Sequence, residues 1–329
     1  MFVIKQKDDN TVDVVDTVSG NVAVTLSGTA ISTFSGAGGP ASGTAGTLAG
    51  TAGPGSQYYD TTNSILYFNE GTLASPYWSP VSFDQPNLYG VSSQFNDQAG
   101  KAVANTDAEA VIPGSGIRVF GQGVAETDSG AVAQAAAEGG IVMRLTTTNE
   151  AAHLIAMGLD AGVYQPDTHG MMAIDVELTN VSAITARAMF CGFLGTAADA
   201  LDPAVTGATT VATLVQDDLC GLWFDSGLTD ADALHGVHNK SDEAATQDLT
   251  ADTLDTATNI AAAGTYQRLR VEVDADGASR MFVDKTLVYT NTAALDDDEE
   301  VSPVFYLESN AAAAISCDVR RFSCWAAKA

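Results

Sequence analysis

Apolar and polar residues alternate with a period of two along most of this chain. In AIDVEL, Ile174, Val176 and Leu178 oppose Asp175 and Glu177. In RLRVEVD, Leu269, Val271 and Val273 oppose Arg268, Arg270 and Glu272. Such alternation predicts strands with one face buried and one wet, as in antiparallel sheets. From residue 117 onward, nine segments read this way: IRVFGQGV, GIVMRLTT, MMAIDVELT, ARAMFCGFL, TLVQDDLCGLWFD, TYQRLRVEVD, SRMFVDKTLVY, SPVFYLES and AISCDVRRFSCWA. DADGAS at 274–279 predicts a hairpin turn between two of them. Many strands with almost no helix predict a β-sandwich or jelly roll over 117–329. GAVAQAAAEGG at 130–140 is the best short helix or loop segment.

The first ninety residues are patterned differently. Val12, Val14 and then Val22, Val24 and Leu26 keep period two around an SGN turn at 19–21, predicting two thin strands. Residues 35–56 hold eight glycines at irregular spacing, at 36, 38, 39, 43, 46, 50, 53 and 55. That composition cannot bury a core of its own. It predicts a linker, or an arm ordered by a neighbouring surface. QYYD, TTNS and ILYFN then read as strand, turn and strand, with Asn63 suited to a left-handed position, and YWSPVSF as a third strand. The expected division is a β arm and Gly-rich linker over 1–56, a small aromatic β module over 57–90, a connector over 91–116 and the sandwich over 117–329. Tyr58, Tyr59, Tyr67, Phe68, Tyr77 and Trp78 load the small module with more rings than its length should hide, so they are the expected interface residues.

Composition sharpens this picture. The chain has 329 residues, 46% of them hydrophobic, enough for a substantial core. Its formal net charge is −27, which repels phosphate, so free nucleic acid and anionic membranes are not expected partners. The start, MFVIKQKDDN, lacks the apolar run of a secretory signal. Cys191, Cys220, Cys317 and Cys324 stand in apolar surroundings without a C-x-x-C, which predicts buried free thiols. Cys317 and Cys324 are an odd number apart and would face opposite sides of one regular strand.

The chemical motifs searched for are absent. No serine has glycine at both −2 and +2, and there is no phosphate-binding loop or dinucleotide fingerprint. His235 and His238 form an H-x-x-H with no matching ligand set. Asp225, Asp230 and Asp232, and the run LDDDEEV at 295–301, read as solvated acidic loops rather than calcium loops. Asp175 and Glu177 lack the third acid of a one-strand glycosidase pattern, because position 180 is Asn180. The expectation is therefore no catalytic residue, no metal site, no cofactor and no enzymatic activity.

Two resemblances add to this reading. GTYQRLRVEVDADGASRMFVDKTLV at 264–288 resembles the concanavalin-A-like (laminin-G-like) jelly-roll family. Asp284 stands at the second hairpin, but Lys285 replaces the family's glycine. AISCDVRRFSCWA is similar to that family's last long strand. GPGSQYYDTTNSILYFNEGTLASPYWSPV at 53–81 resembles a short β module of tailed-bacteriophage virion proteins, and residues 222–247 are similar to jelly rolls encoded among phage structural genes. These resemblances imply a trimeric virion protein. Its first expected role is a head decoration (cement) protein bound to the major capsid protein, with the acidic jelly roll outward. Trp223 and Tyr289 are sugar-stacking candidates for the other role, a tail or head fibre adhesin binding host-surface glycan.

Overall fold

The computed structural model describes residues 2–8, 11–16, 22–27, 32–81, 87–93, 103–104, 110–112, 115–121, 130–137, 140–149, 151–159, 163–195, 203–240, 246–249 and 259–328. Among these there is no helix. The chain divides into two compact units, Met1–Pro86 and Asn87–Ala329. The Gly-rich arm and the aromatic meander thus fall in one unit, and residues read as connector contribute strands to the other.

In the first unit, β1 (Phe2–Asp8), β2 (Thr11–Asp16) and β3 (Val22–Ser27) form an antiparallel three-stranded sheet, one strand more than the pattern predicted. The SGN turn lies outside the described residues. A second sheet holds β4 (Thr33–Gly36), β5 (Gln57–Asp60), β6 (Ile65–Asn69) and β7 (Trp78–Pro80), with β4 parallel to β5. The β5–β6 turn differs in detail from expectation. Asp60 accepts the N–H groups of Thr62 and Asn63, and Ser64 takes the left-handed position with φ 59°.

The glycine-rich stretch is an arm ordered by the meander. Gly43, Gly50 and Gly55 donate their N–H groups to the carbonyls of Pro76, Leu73 and Asn69. Asn69 is buried, donates to the Ala52 and Gly53 carbonyls and accepts from the Gly71 and Tyr77 N–H groups. One side chain thus satisfies four backbone groups that would otherwise be stranded.

The second unit opens with β8 (Leu88–Ser93) and the short β9 (Val103–Ala104) and β10 (Ala110–Val111). Next come β11 (Arg118–Gly121), β12 (Ala131–Ala137), β13 (Gly140–Thr146), β14 (His153–Gly158), β15 (His169–Asn180) and β16 (Arg187–Leu194). Then follow β17 (Val205–Ala208), β18 (Val211–Leu214), β19 (Leu219–Asp225), β20 (Leu234–Asn239) and β21 (Thr246–Asp248). The unit closes with β22 (Gln267–Asp274), β23 (Ser279–Val283), β24 (Thr286–Asn291), β25 (Ser302–Ser309) and β26 (Ser316–Lys328).

Two large sheets stack as a jelly-roll sandwich. One runs β10-β11-β14-β25-β16-β19-β20 and the other β24-β23-β22-β15-β26-β13-β12-β9, with β8 also on β26. Inward side chains of both, such as Met189, Phe305, Ile174 and Val271, make one core. Within the segment at 130–140, Ala131–Ala137 form strand β12, not helix, because they fill the ladder between β13 and β9. Tertiary pairing there overrides the helix propensity of its alanines. A register irregularity between β15 and β26 shifts the side-chain parity, so Cys317 and Cys324 both face the core.

The seven-stranded sheet is buried on both faces. Its outer side chains, among them Phe190, Trp223, Tyr306 and Val304, pack with Val205, Ala212, Leu214 and Leu249 of the small sheet β17-β18-β21. Fully burying a large side chain of this kind contributes roughly 1.5–3 kcal/mol, which explains why ARAMFCGFL and SPVFYLES read as nearly continuous apolar runs.

The outward face of β15 and β22 is not simply wet. Asp175 is buried in an ion pair with Arg268, and Arg270 and Glu272 are buried in a pair with each other, where alternation alone predicted solvent. At the β23–β24 hairpin, Asp284 and Lys285 have φ 48° and 69°, so both turn residues are left-handed. Lys285→Gly is expected to stabilise the chain by about 1 kcal/mol, since glycine adopts that conformation without a Cβ penalty. A urea midpoint unchanged or lowered by the substitution would contradict this.

Candidate functional site

The six aromatics expected at an interface separate into two groups. Tyr58, Tyr67, Tyr77 and Trp78 are buried. The Trp78 ring N–H donates to the Thr47 carbonyl at 3.1 Å, and its centroid lies 5.9 Å from that of Tyr58. Tyr59 and Phe68 keep 39% and 38% of their surface exposed, and these two alone of the six present large apolar area outward.

In the second unit, residue register creates a site that sequence reading missed. Glu308 on β25 and Asp225 on β19 are each paired directly with Ala188 on β16 between them. Paired residues share a sheet face. The face is the outer one, because Trp223 and Tyr306, two residues earlier on the same strands, belong to the cluster beneath the small sheet. Both carboxyls are therefore buried at the rim of that covered face. They line a pocket of about 300 Å³ together with Ala151, Ala152, Val205, Thr206, Gly207, Gly227 and Asn310.

The surroundings of the two acids differ. Asp225 accepts the Gly227 N–H at 2.7 Å and a hydrogen bond from the Asn310 side-chain amide. Burial raises its pKa, opposed by these two donors and by His235. Burial and the charge of Asp225 push Glu308 up to about 8, so it is largely protonated at neutral pH. Burial and Glu308 likewise hold the Tyr306 hydroxyl well up. His235 is buried beside Trp223, and its loss of solvent lowers its pKa against the pull of Asp230 at 3.5 Å.

Local backbone shape fits a formed pocket. Ala152 and Ala186 carry φ 62° and 60°, strained for residues with a Cβ, and the Ala186 carbonyl accepts the Asn310 N–H. A Cβ on Gly207 would meet Trp223 at 2.5 Å and Asp225 at 3.3 Å, so the wall needs glycine there.

Other candidates have different surroundings. Asp175 pairs with Arg268, and Glu177 with Arg320, so neither member of that pair lies in the pocket. Trp223 and Tyr289 are buried in the two cores and offer no exposed ring for a sugar. His238 contacts Tyr289 and Asn291, on the sheet face opposite to that of His235. Asp217, Asp218, Glu299 and Glu300 line a second pocket of about 320 Å³ at the other end of β16, where burial and neighbouring carboxylates raise Asp218 to about 6. Among the described residues, no group of three or more His, Cys, Asp or Glu side chains is arranged to hold a metal ion. All four cysteines are free and buried, and burial pushes Cys220, Cys317 and Cys324 up to about 12, which removes them as nucleophiles at neutral pH.

No protein-family model and no curated protein matches this chain. Solved structures do resemble it. The Emp47p carbohydrate recognition domain is 14% identical, at a TM-score of 0.46, over 73% of this chain and 97% of that one. The alginate lyase Aly36B, as a mutant in complex with alginate trisaccharide, is 12% identical, at 0.46, over 73% and 98%. A carbohydrate esterase from the Shiga toxin-encoding bacteriophage phi24B is 12% identical, at 0.39, over 65% and 91%. The expectation of a chain without enzymatic activity does not stand: two of these structures are described as enzymes acting on carbohydrate. The pocket in this chain also holds a buried carboxyl pair of the kind acid–base chemistry uses.

Proposed function

We propose that the jelly-roll unit recognises carbohydrate in the Asp225–Glu308 pocket. The observation that carries this reading is the placement of Glu308 and Asp225, both paired with Ala188, in the lining of a 300 Å³ pocket that Asn310 also lines. A carboxylate accepts two hydroxyl hydrogen bonds, a protonated carboxyl donates one, and an amide does both. That set matches neighbouring sugar hydroxyls, while Ala151, Ala152 and Val205 offer apolar surface to the C–H face of a ring. The volume sits at the small end for ligand pockets, fitting one sugar unit of a longer chain.

A virion is the proposed setting, resting on the resemblance of residues 53–81 and 222–247 to phage modules. Glycan recognition makes a fibre-type adhesin the favoured form of it. The capsid-bracing role draws no support from the pocket. Trimer formation and any contact with a capsid protein belong to the same proposal, with Tyr59 and Phe68 as the exposed residues to test first.

A glycan array probed with the full chain tests the pocket. Thr206 is exposed at its mouth, so Thr206→Trp should block entry with little effect on the fold. The expected result is retention of a defined glycan set by the natural chain and at least a tenfold weaker signal from the variant. Equal retention by both would place recognition elsewhere.

A further inference from the structure

The carboxyl pair supports a chemical step as well as binding. We infer that Glu308 and Asp225 act as general acid and general base in the hydrolysis of a neutral glycan, with inversion at the anomeric carbon. This rests on the reading of the pocket as a sugar site.

Spacing is the first argument. Glu308 and Asp225 stand on β25 and β19, each paired with Ala188 of the intervening β16. Two ladder spacings put their backbones about 9–10 Å apart. With a whole strand between them, the acids fit the wider carboxyl spacing of inverting glycosidases, about 6.5–9.5 Å with room for a water, better than the spacing of about 5–5.5 Å in retaining ones.

The second argument is the division of roles. Asp225 receives the Gly227 N–H and the Asn310 amide, donors that favour its anionic form. Burial and the negative charge of Asp225 together raise Glu308 to about 8, so it holds a proton at neutral pH. In the step, the water oxygen attacks the anomeric carbon and Asp225 takes a water proton. The bond from that carbon to the leaving oxygen breaks, and Glu308 gives that oxygen its proton. One water is consumed, nothing is oxidised or reduced, and bulk water resets both carboxyls.

Charge sets the substrate class. The chain carries −27, and Asp230 and Asp232 lie on the segment following Asp225. A polyuronate would bring further negative charge to a pocket that already holds two carboxyls. A neutral sugar avoids that repulsion.

The test incubates the full chain with soluble neutral polysaccharides (laminarin, starch, xylan and galactan), and with alginate and polygalacturonate as anionic comparisons. New reducing ends are quantified, and proton NMR records the anomer of the first product. The expected result is cleavage of a neutral polymer with inverted configuration. Glu308→Gln should lower the rate of cleavage by about a hundredfold or more, measured at saturating polymer. Binding without cleavage, product of retained configuration, cleavage of the anionic polymers alone, or full activity in Glu308→Gln would each overturn the inference and leave the binding site intact. If Thr206→Trp changes neither binding nor cleavage, the site reading itself fails.

Discussion

Glu272→Ala is expected to destabilise the second unit by about 3–5 kcal/mol, the cost of breaking a buried ion pair from one side. Arg270 and Glu272 are both fully buried on the outward face of the nine-stranded sheet. The Arg270 guanidinium reaches Glu272 Oε1 at 2.5 Å and lies 4.6 Å above the Trp325 ring, while Arg280 Nε donates to Glu272 Oε2 at 3.2 Å. Arg280 also pairs with Asp274, so the guanidinium that depends on Glu272 is that of Arg270. Removing the Glu272 carboxylate leaves positive charge in a site with little water, where charge is costly. The double change Arg270→Met with Glu272→Leu should recover most of the loss, because it removes the charges together. Urea unfolding of the three proteins at neutral pH checks this. A loss under about 1 kcal/mol for Glu272→Ala would mean that water or a neighbour replaces the pair.

Glu308→Gln should change how stability depends on pH. The ordinary glutamate value is 4.5, and the folded chain raises Glu308 to about 8. Between those values the folded state keeps a proton that the unfolded state has lost, so stability falls as pH rises. Below about 4.5 the carboxyl is protonated in both states and the penalty is absent. Above about 8 it is complete, and at about 1.4 kcal/mol per pH unit it reaches roughly 5 kcal/mol. Glutamine carries no such penalty. The variant should match the natural chain near pH 4 and exceed it by a few kcal/mol at pH 9. Asp225 has a shift of the same sign and remains in both proteins, as does the repulsion of the −27 charge, so the difference isolates Glu308. Denaturant midpoints at pH 5, 7 and 9 measure it. A difference that does not grow with pH would place the Glu308 carboxyl in contact with water.

Much of the fold was legible because strand period is a local property. The alternation in β15 and β22, the DADGAS hairpin and the long last strand follow from neighbours along the chain. The arm at 37–56 was less so, because what orders it is Asn69 and the carbonyls of the meander. Strand β12 was misread since its alanines carry no β signal and its place comes from β13 and β9. The site was the least legible part. Asp225 and Glu308 lie 83 positions apart, and only sheet register sets both beside Ala188. A sequence signal did exist. Each acid lies at or next to the end of an aromatic strand, two residues after Trp223 or Tyr306, at a position where the alternation calls for an apolar side chain. An acid at such a position marks either a rim or a site. Of the six aromatics expected at an interface, Tyr58, Tyr67, Tyr77 and Trp78 are buried and Tyr59 and Phe68 are exposed, a division that ring counting does not reveal.

The central claim is that a sugar occupies the pocket lined by Asp225 and Glu308. Its most direct test is amide chemical-shift mapping on the isotopically labelled full chain, titrated with the glycan that the array retains best. The account predicts saturable shifts at Ala152, Gly207, Gly227 and Asn310, lost in Thr206→Trp. Shifts confined to other parts of the chain, or no saturable shift with any retained glycan, would contradict it.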